Sequence, residues 1–232
     1  MMSRTWIALL LLTLSAACDS FGSGSMVPVL PPGSWESGLE QQRFQKDDAF
    51  RRSPDTPLVA EDVPGFSGLE YFDLDPAYYF VGPIHVHPRK EQFEIVTTSG
   101  RSRPCERFGW VEFPAGDLTQ KLQVYRLLDL PAGPDSLLVR FVDGTTGKET
   151  YPAGRYVDLQ GPTDELHVVD TPGGRPISVG PYILDFNQAY NPSCDYGDPA
   201  RFACPVTPAE NRLQPRLEAG ERGFKLPAAD EG

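Results

Sequence analysis

The chain is predicted to be mainly β: an antiparallel flattened barrel or sandwich with one N-terminal helix and a loop-rich C-terminal segment. Three observations predict it. The 232 residues include 24 prolines and 22 glycines, a composition that suits short strands joined by turns better than a helical protein. From Tyr78 onward, runs of β-type residues alternate with turn compositions. No long helical crossover separates one run from the next, so consecutive strands are expected to pair antiparallel in a sheet that closes or stacks on itself.

Taken in order, residues 18–37 are rich in Gly, Ser and Pro with no apolar period and read as a flexible tether. From Trp35 to about Arg52 the spacing of Leu39, Arg43, Lys46, Asp47 and Phe50 defines one helical face, and Ser53-Pro54 ends it. Phe44 and Phe50 are expected to dock this helix on the domain. Pro54, Pro57 and Pro64 impose an extended path, and Gly68-Leu69-Glu70-Tyr71-Phe72 opens the strand-rich part. Strands are expected at Tyr79 to Val86, Phe93 to Thr98, Arg107 to Phe113, Leu118 to Leu128, Leu137 to Val142 and Glu149 to Leu159. The breaks between them, Ser99-Gly100, Ala115-Gly116-Asp117, Pro131 to Asp135 and Asp143-Gly144, are turn compositions. Leu118, Gln120, Leu122 and Val124 alternate with Thr119, Lys121, Gln123 and Tyr125, mostly separating an apolar face from a wet one. Leu137 to Val142 is apolar at nearly every position and suits a central strand. His167 to Asp170 and Ile183 to Phe186 add two short strands and Leu213 to Ala219 a last one. The domain is thus expected to span 38–222 as a single unit, with a disordered tail over 223–232.

The N-terminus carries an address. Arg4, the apolar run Trp6 to Leu14 and the small residues Ser15-Ala16-Ala17 before Cys18 read as an export signal. The run is too short to cross a bilayer, which takes about 20 apolar residues. It resembles a bacterial lipoprotein signal over residues 1–17, cut before Cys18. That resemblance implies a lipidated Cys18 and an exported protein held on a cell-envelope membrane, facing the periplasm or exterior. Without residues 1–17 the chain keeps 20 Lys and Arg against 32 Asp and Glu, a net charge of −12. Such a charge repels nucleic acid. It also disfavours an anionic lipid surface, so the anchor rather than a basic face is expected to make the membrane contact.

Two segments, Asp143-Gly-Thr-Thr-Gly-Lys-Glu-Thr-Tyr-Pro-Ala-Gly-Arg-Tyr156 and Leu184-Asp-Phe-Asn-Gln-Ala-Tyr-Asn-Pro-Ser-Cys194, are followed by Cys204-Pro205, Pro208, Glu210-Asn211-Arg212-Leu213 and Ala219-Gly220-Glu221. With Lys46-Asp47, Ser53-Pro54 and Gly68 to Phe72 they resemble an uncharacterised bacterial and archaeal family known as domain of unknown function 1684. The resemblance runs from about Phe44 to Glu221. It implies boundaries and a fold, and no chemistry.

Asp143-Gly-Thr-Thr-Gly is first a turn, Asp accepting backbone hydrogen bonds and the glycines supplying positive φ; the alternative is a loop meeting an anion. Lys148 stands at the wrong spacing for a phosphate-binding P-loop. Glu149 and Tyr151 lie two apart on a predicted strand, and Arg155 follows Gly154. A buried Glu149–Arg155 pair locking the strand is one reading. The other makes Arg155 a forked donor to a carboxylate or phosphate, with Glu149 orienting it or acting as a base. Asp185 and Asn187 could join them, and Tyr190 and Asn191 either brace an irregular loop or wall a polar pocket. Cys194 and Cys204, in a Pro-rich segment of an exported chain, are expected to form a disulfide. Cys105 is left over as a thiol. His85 and His87 project to one face as metals accept, but no third ligand is assigned and no metal or other cofactor is expected.

The favoured function is a non-enzymatic envelope module binding a small polar or anionic ligand or an envelope protein through Glu149, Arg155, Asp185 and Asn187. The alternatives are a hydrolase or isomerase using Glu149 or Asp185 as acid and base with Arg155 as anion clamp, and a purely structural role for the same residues.

Overall fold

A computed structural model of the chain describes residues 24–131, 136–161, 177–198, 200–202 and 204–224. Among the described residues nine strands form one antiparallel sheet: β1 (Val27–Pro28), β2 (Tyr79–Val86), β3 (Gln92–Val96), β4 (Ser102–Ala115), β5 (Leu118–Leu127), β6 (Leu137–Phe141), β7 (Arg155–Val157), β8 (Leu159–Gln160) and β9 (Ile177–Asp185). The order is β7-β6-β5-β4-β2-β9-β8, with β3 on β4 and β1 on β2. β7 and β8 lie at opposite ends of that order, yet Asp158 alone separates them in sequence. The backbone itself therefore bridges the sheet's two margins, and the result is a nearly closed barrel.

Alternation builds the interior. On β5, Gln120, Leu122 and Val124 are buried while Thr119 and Lys121 are exposed, as a period of two requires. All five residues of β6 are buried, because its two faces serve two cores. Leu137, Val139 and Phe141 meet Val111, Phe113, Leu122 and Phe186 inside the barrel. Leu138, on the other face, meets Cys105, Tyr125 and Tyr156.

The one long helix among the described residues, α1 (Trp35–Arg52), stops where Ser53 turns extended before Pro54. Leu39 and Phe50 are buried, and Phe50 packs on Leu58 and Tyr196. Phe44 does not dock: it is 68% exposed. Five positions beyond Leu39 on a helix means a rotation of about 140°, away from the packed face.

Part of the expected tether is held in the sheet. Met26 is fully buried and β1 pairs with β2. The reason lies in the sheet, since β2 and β4 pair at His85↔Trp110 and Val86↔Gly109 and then diverge. The gap is taken by residues 25–29, whose Met26 N–H donates to the Glu112 carbonyl at 2.7 Å and Val29 N–H to the Tyr79 carbonyl at 3.2 Å. A Cβ on Gly82 would stand 2.6 Å from the Met26 Cα, so the close approach needs glycine there. At the other end Phe224, within the expected tail, packs on Phe66 and Tyr196 and its N–H donates to Asp195 at 3.0 Å.

Two expected strands are corrected. Residues 143–150 form a turn, so of the predicted Glu149 to Leu159 strand the short β7 and β8 remain. Leu213 to Ala219 is not a strand, although Leu213, Leu217 and Ala219 are core residues; its carbonyls bond to a side chain instead, as the next subsection shows. Residues 1–17, Cys18, the first tether positions, His167 to Asp170 and residues 225–232 lie outside the described residues. Among the described residues no helix is long and apolar enough to cross a membrane.

Candidate functional site

Arg155 enters the barrel wall on β7 and is 1% exposed. Its Nη1 donates to the Ala219 carbonyl, and its Nη2 donates to the Leu217 carbonyl at 2.9 Å and to Asp143 Oδ2 at 3.3 Å. Asp143 also accepts from the Leu217 N–H at 2.7 Å and, through Oδ1, from the Thr145 hydroxyl at 2.7 Å and the Thr146 hydroxyl at 3.1 Å. The Asp-Gly-Thr-Thr-Gly turn is thus closed on its own aspartate. The guanidinium takes the place of a partner strand for the 217–219 carbonyls, which is why that segment is ordered without being a strand. Burial pulls Arg155 down from its ordinary pKa and Asp143 opposes that shift.

The predicted constellation does not assemble. Glu149 leaves the wall and pairs with the exposed Arg216. Tyr151 is half-buried in the same loop. Asp185 and Asn187 do meet, at the end of β9. Asp185 Oδ1 accepts from the Asn187 N–H (3.0 Å) and Nδ2 (2.9 Å), and its Oδ2 from Trp35 Nε1 (2.8 Å) and Gln188 Nε2 (3.0 Å). Asn187 in turn bonds both the N–H and the carbonyl of Asp75 at 2.9 Å. With four donors on one carboxylate, Asp185 is a brace between α1 and the barrel mouth rather than a poised base.

A cleft of about 210 Å³ lies next to this brace, between α1 and the barrel mouth. Leu39, Gln42, Arg43 and Lys46 of α1 form one wall; Tyr71, Asp158, Asn187 to Tyr190 and Glu221 form the others. Two predicted residues, Asn187 and Tyr190, therefore belong to it. Its floor is Glu221, 2% exposed, which accepts from Lys46 Nζ, the Tyr196 hydroxyl and, at 3.0 Å, the Asn191 N–H. Asn191 sits behind that floor, its Nδ2 donating to the Arg222 carbonyl at 2.7 Å. Lys46 Nζ lies 5.4 Å from the rings of both Tyr190 and Tyr196, a cationic head caged by aromatic faces.

Arg43 is held differently. Its guanidinium rests 4.2 Å over the Tyr71 ring, and its bonds to the Phe72 and Asn187 carbonyls are both 3.4 Å, the long limit for a hydrogen bond. Among the described residues no carboxylate stands within salt-bridge distance of it. Burial lowers its pKa, and the more distant Glu221 and Asp185 oppose the shift. Burial raises the Tyr71 hydroxyl well above its usual range, with Glu221 adding to it, and does the same to Tyr190, whose hydroxyl donates to Asp158 at 3.1 Å. Both phenols therefore stay protonated and are not bases. Arg43, Lys46, Tyr71 and Glu221 were not singled out as site residues from sequence. The helical row Leu39-Arg43-Lys46-Phe50, which places two cations on a docking face, was the signal that could have found the first two.

Cys194 and Cys204 are joined as a disulfide. Cys105 is a buried thiol pushed up to about 11 by burial, which leaves it protonated and unreactive. His85 and His87 stack on Trp110, with ring centroids 5.1 and 4.8 Å away. Among the described residues no group of three or more His, Cys, Asp or Glu side chains is placed to hold a metal.

A family described as "Protein of unknown function (DUF1684)" matches residues 64–222. That span includes β2 to β9, Asp185, Asn187 and Glu221 but not β1 or α1. Among solved structures the chain is similar to the solution NMR structure of an uncharacterized protein from Haloarcula marismortui. The two are 32% identical with a TM-score of 0.57, over 82% of this chain and 94% of that one. No curated protein matches the chain.

Proposed function

This chain belongs to the DUF1684 family, and we propose that its barrel is a non-catalytic binding module, taking a small polar ligand with an anionic group into the cleft under α1. The module is exported and held on a cell-envelope membrane by lipidated Cys18, as the N-terminal signal implies. The observation that carries the binding reading is Arg43. It is a partly desolvated guanidinium on a cleft wall with no carboxylate partner, and an anion would relieve that desolvation through paired, charge-assisted hydrogen bonds. Tyr71 and the Gln188 amide supply aromatic and polar surface around it, the pattern of a small-molecule pocket. A hydrolytic role is less well supported, because Glu221 and Asp185 are each saturated by internal donors. Neither is free to take a proton from substrate or water.

Thermal unfolding in the presence of acetate, succinate or inorganic phosphate tests this reading. A ligand at a hundred times its dissociation constant stabilises the folded state by about 2.7 kcal/mol. At least one of these anions should raise the midpoint of the parent and leave that of Arg43→Gln unchanged. If none raises the parent, or all raise both proteins equally, the cleft is not an anion site.

A further inference from the structure

We propose that the cleft under α1 selects a guest with a single negative charge, a short monocarboxylate, and discriminates against dicarboxylates and phosphate. The inference rests on the anion site proposed above and names the class of anion which that site admits.

The first support is how much of the Arg43 fork is left for a guest. Nη1 and Nη2 each give one N–H, at 3.4 Å, to the carbonyls of Phe72 and Asn187. A guanidinium carries five N–H groups in one plane, so each terminal nitrogen keeps a second one. That pair matches the two parallel bonds a carboxylate accepts. One carboxylate therefore satisfies what Arg43 still offers.

The second support is what a further negative charge would meet. Among the described residues the other cation lining the cleft is Lys46, and it is committed to Glu221, whose side chain is 2% exposed. Drawing Lys46 toward a guest would strand that buried carboxylate. The remaining charges are negative. Asp158 lines the cleft with Glu221, and Asp185 stands in the adjoining brace, held by Trp35 and Gln188. Burial disfavours the charge on Arg43, whereas Glu221, Asp185 and Glu40 favour it from further away. With Lys46 balanced by Glu221, Arg43 is matched by one ligand charge. A second would face Asp158, Asp185 and Glu40 in a space partly cleared of water, where like charges are strongly unfavourable. The net charge of −11 on the chain adds a field of the same sign at longer range.

The third support is the size and lining of the space. About 210 Å³ falls below the roughly 300–1,000 Å³ of sites for drug-sized ligands, so the guest is short. Leu39 and Ala189 supply apolar wall, and Gln42 and Gln188 supply amides. Such a lining suits a short carbon chain with a neutral polar group in place of a second charge.

Calorimetric titration at fixed ionic strength and at about pH 8, where succinate and inorganic phosphate both carry close to two charges, provides the test. Acetate or lactate should bind the parent about tenfold or more tightly than either dianion, and Arg43→Gln should lose that binding. Asp158→Asn keeps an acceptor for the Tyr190 hydroxyl while removing one of the opposing charges, so it should narrow the ratio by strengthening dianion binding. Succinate or phosphate bound as tightly as the monocarboxylates, and through Arg43, would overturn the single-charge inference and leave the anion site standing. A ratio unchanged in Asp158→Asn would assign the discrimination to shape and overturn the charge account. Lack of Arg43-dependent binding by all four anions would instead remove the anion site itself.

Discussion

Arg155 illustrates how a charged residue with every appearance of a ligand clamp can be consumed by its own fold. Its guanidinium is spent on Asp143 and on the carbonyls of Leu217 and Ala219, so its removal should be felt as lost stability. Arg155→Ala leaves a buried Asp143 without its cation and should lower the unfolding free energy by about 3–5 kcal/mol, read from urea unfolding. Asp195 carries a pH signature. Burial pushes its carboxyl up to about 6 from an ordinary 3.8, against the Phe224 N–H, which lowers it. A folded value above the unfolded one means that the stabilising contribution is full below about pH 4 and is lost as pH rises through about 6. Asp195→Asn, a mimic of the protonated form, should therefore gain on the parent between pH 4 and 7 when urea midpoints are compared. A buried, paired Arg155 was one of the sequence readings, but the partners were not legible, because Asp143 and Asp195 also bond to segments 74 and 29 positions away.

Elements were more legible than residues. β2 and α1 occupy the stretches expected from periodicity and from the Ser-Pro stop, since local pattern and capping suffice where an element is long and regular. β1 was invisible for the opposite reason: a two-residue strand has no period, and its place in the sheet depends on β2 and β4 diverging. Met26→Ala should accordingly lower stability by about 2–4 kcal/mol, whereas Leu30→Ala, at a side chain 90% exposed, should stay within about 0.5 kcal/mol. Denaturant titration of the two variants separates a sheet-filling segment from a loose tether. In the C-terminal loops, Cys194–Cys204 closes a short ring. By the chain-entropy account its reduction should lower stability by about 2–3 kcal/mol, and the buried Cys105 should react with thiol reagents only after unfolding.

For the molecule as a whole, the decisive feature is that the C-terminal segment returns across the mouth of the barrel. Glu221 there forms a bridge with Tyr71 and takes up Lys46 of α1, and the cleft exists because these three distant pieces meet without filling the space above Asn187. Lys46→Met should therefore leave Glu221 buried with a lost charge partner and destabilise by several kcal/mol, whereas Arg43→Gln should act mainly on ligand binding. Comparing urea midpoints of these two helix variants distinguishes the cation that holds the fold from the one offered to a guest.

Mainly β character, the helix and most strand positions follow from local patterns of apolar residues, prolines and glycines, which act within a few residues and so are written in the chain. Asn187 and Tyr190 lie in an irregular loop beside the cleft, whereas joining Glu149 and Arg155 to them required two segments some thirty positions apart to converge, which local pattern does not specify. Tertiary structure decided otherwise: Glu149 went to Arg216, Arg155 to Asp143, and the cleft drew its cations from α1. The physical reason is that a buried charge takes whichever partner the closed barrel brings within hydrogen-bond reach, and closure is a property of all the strands together.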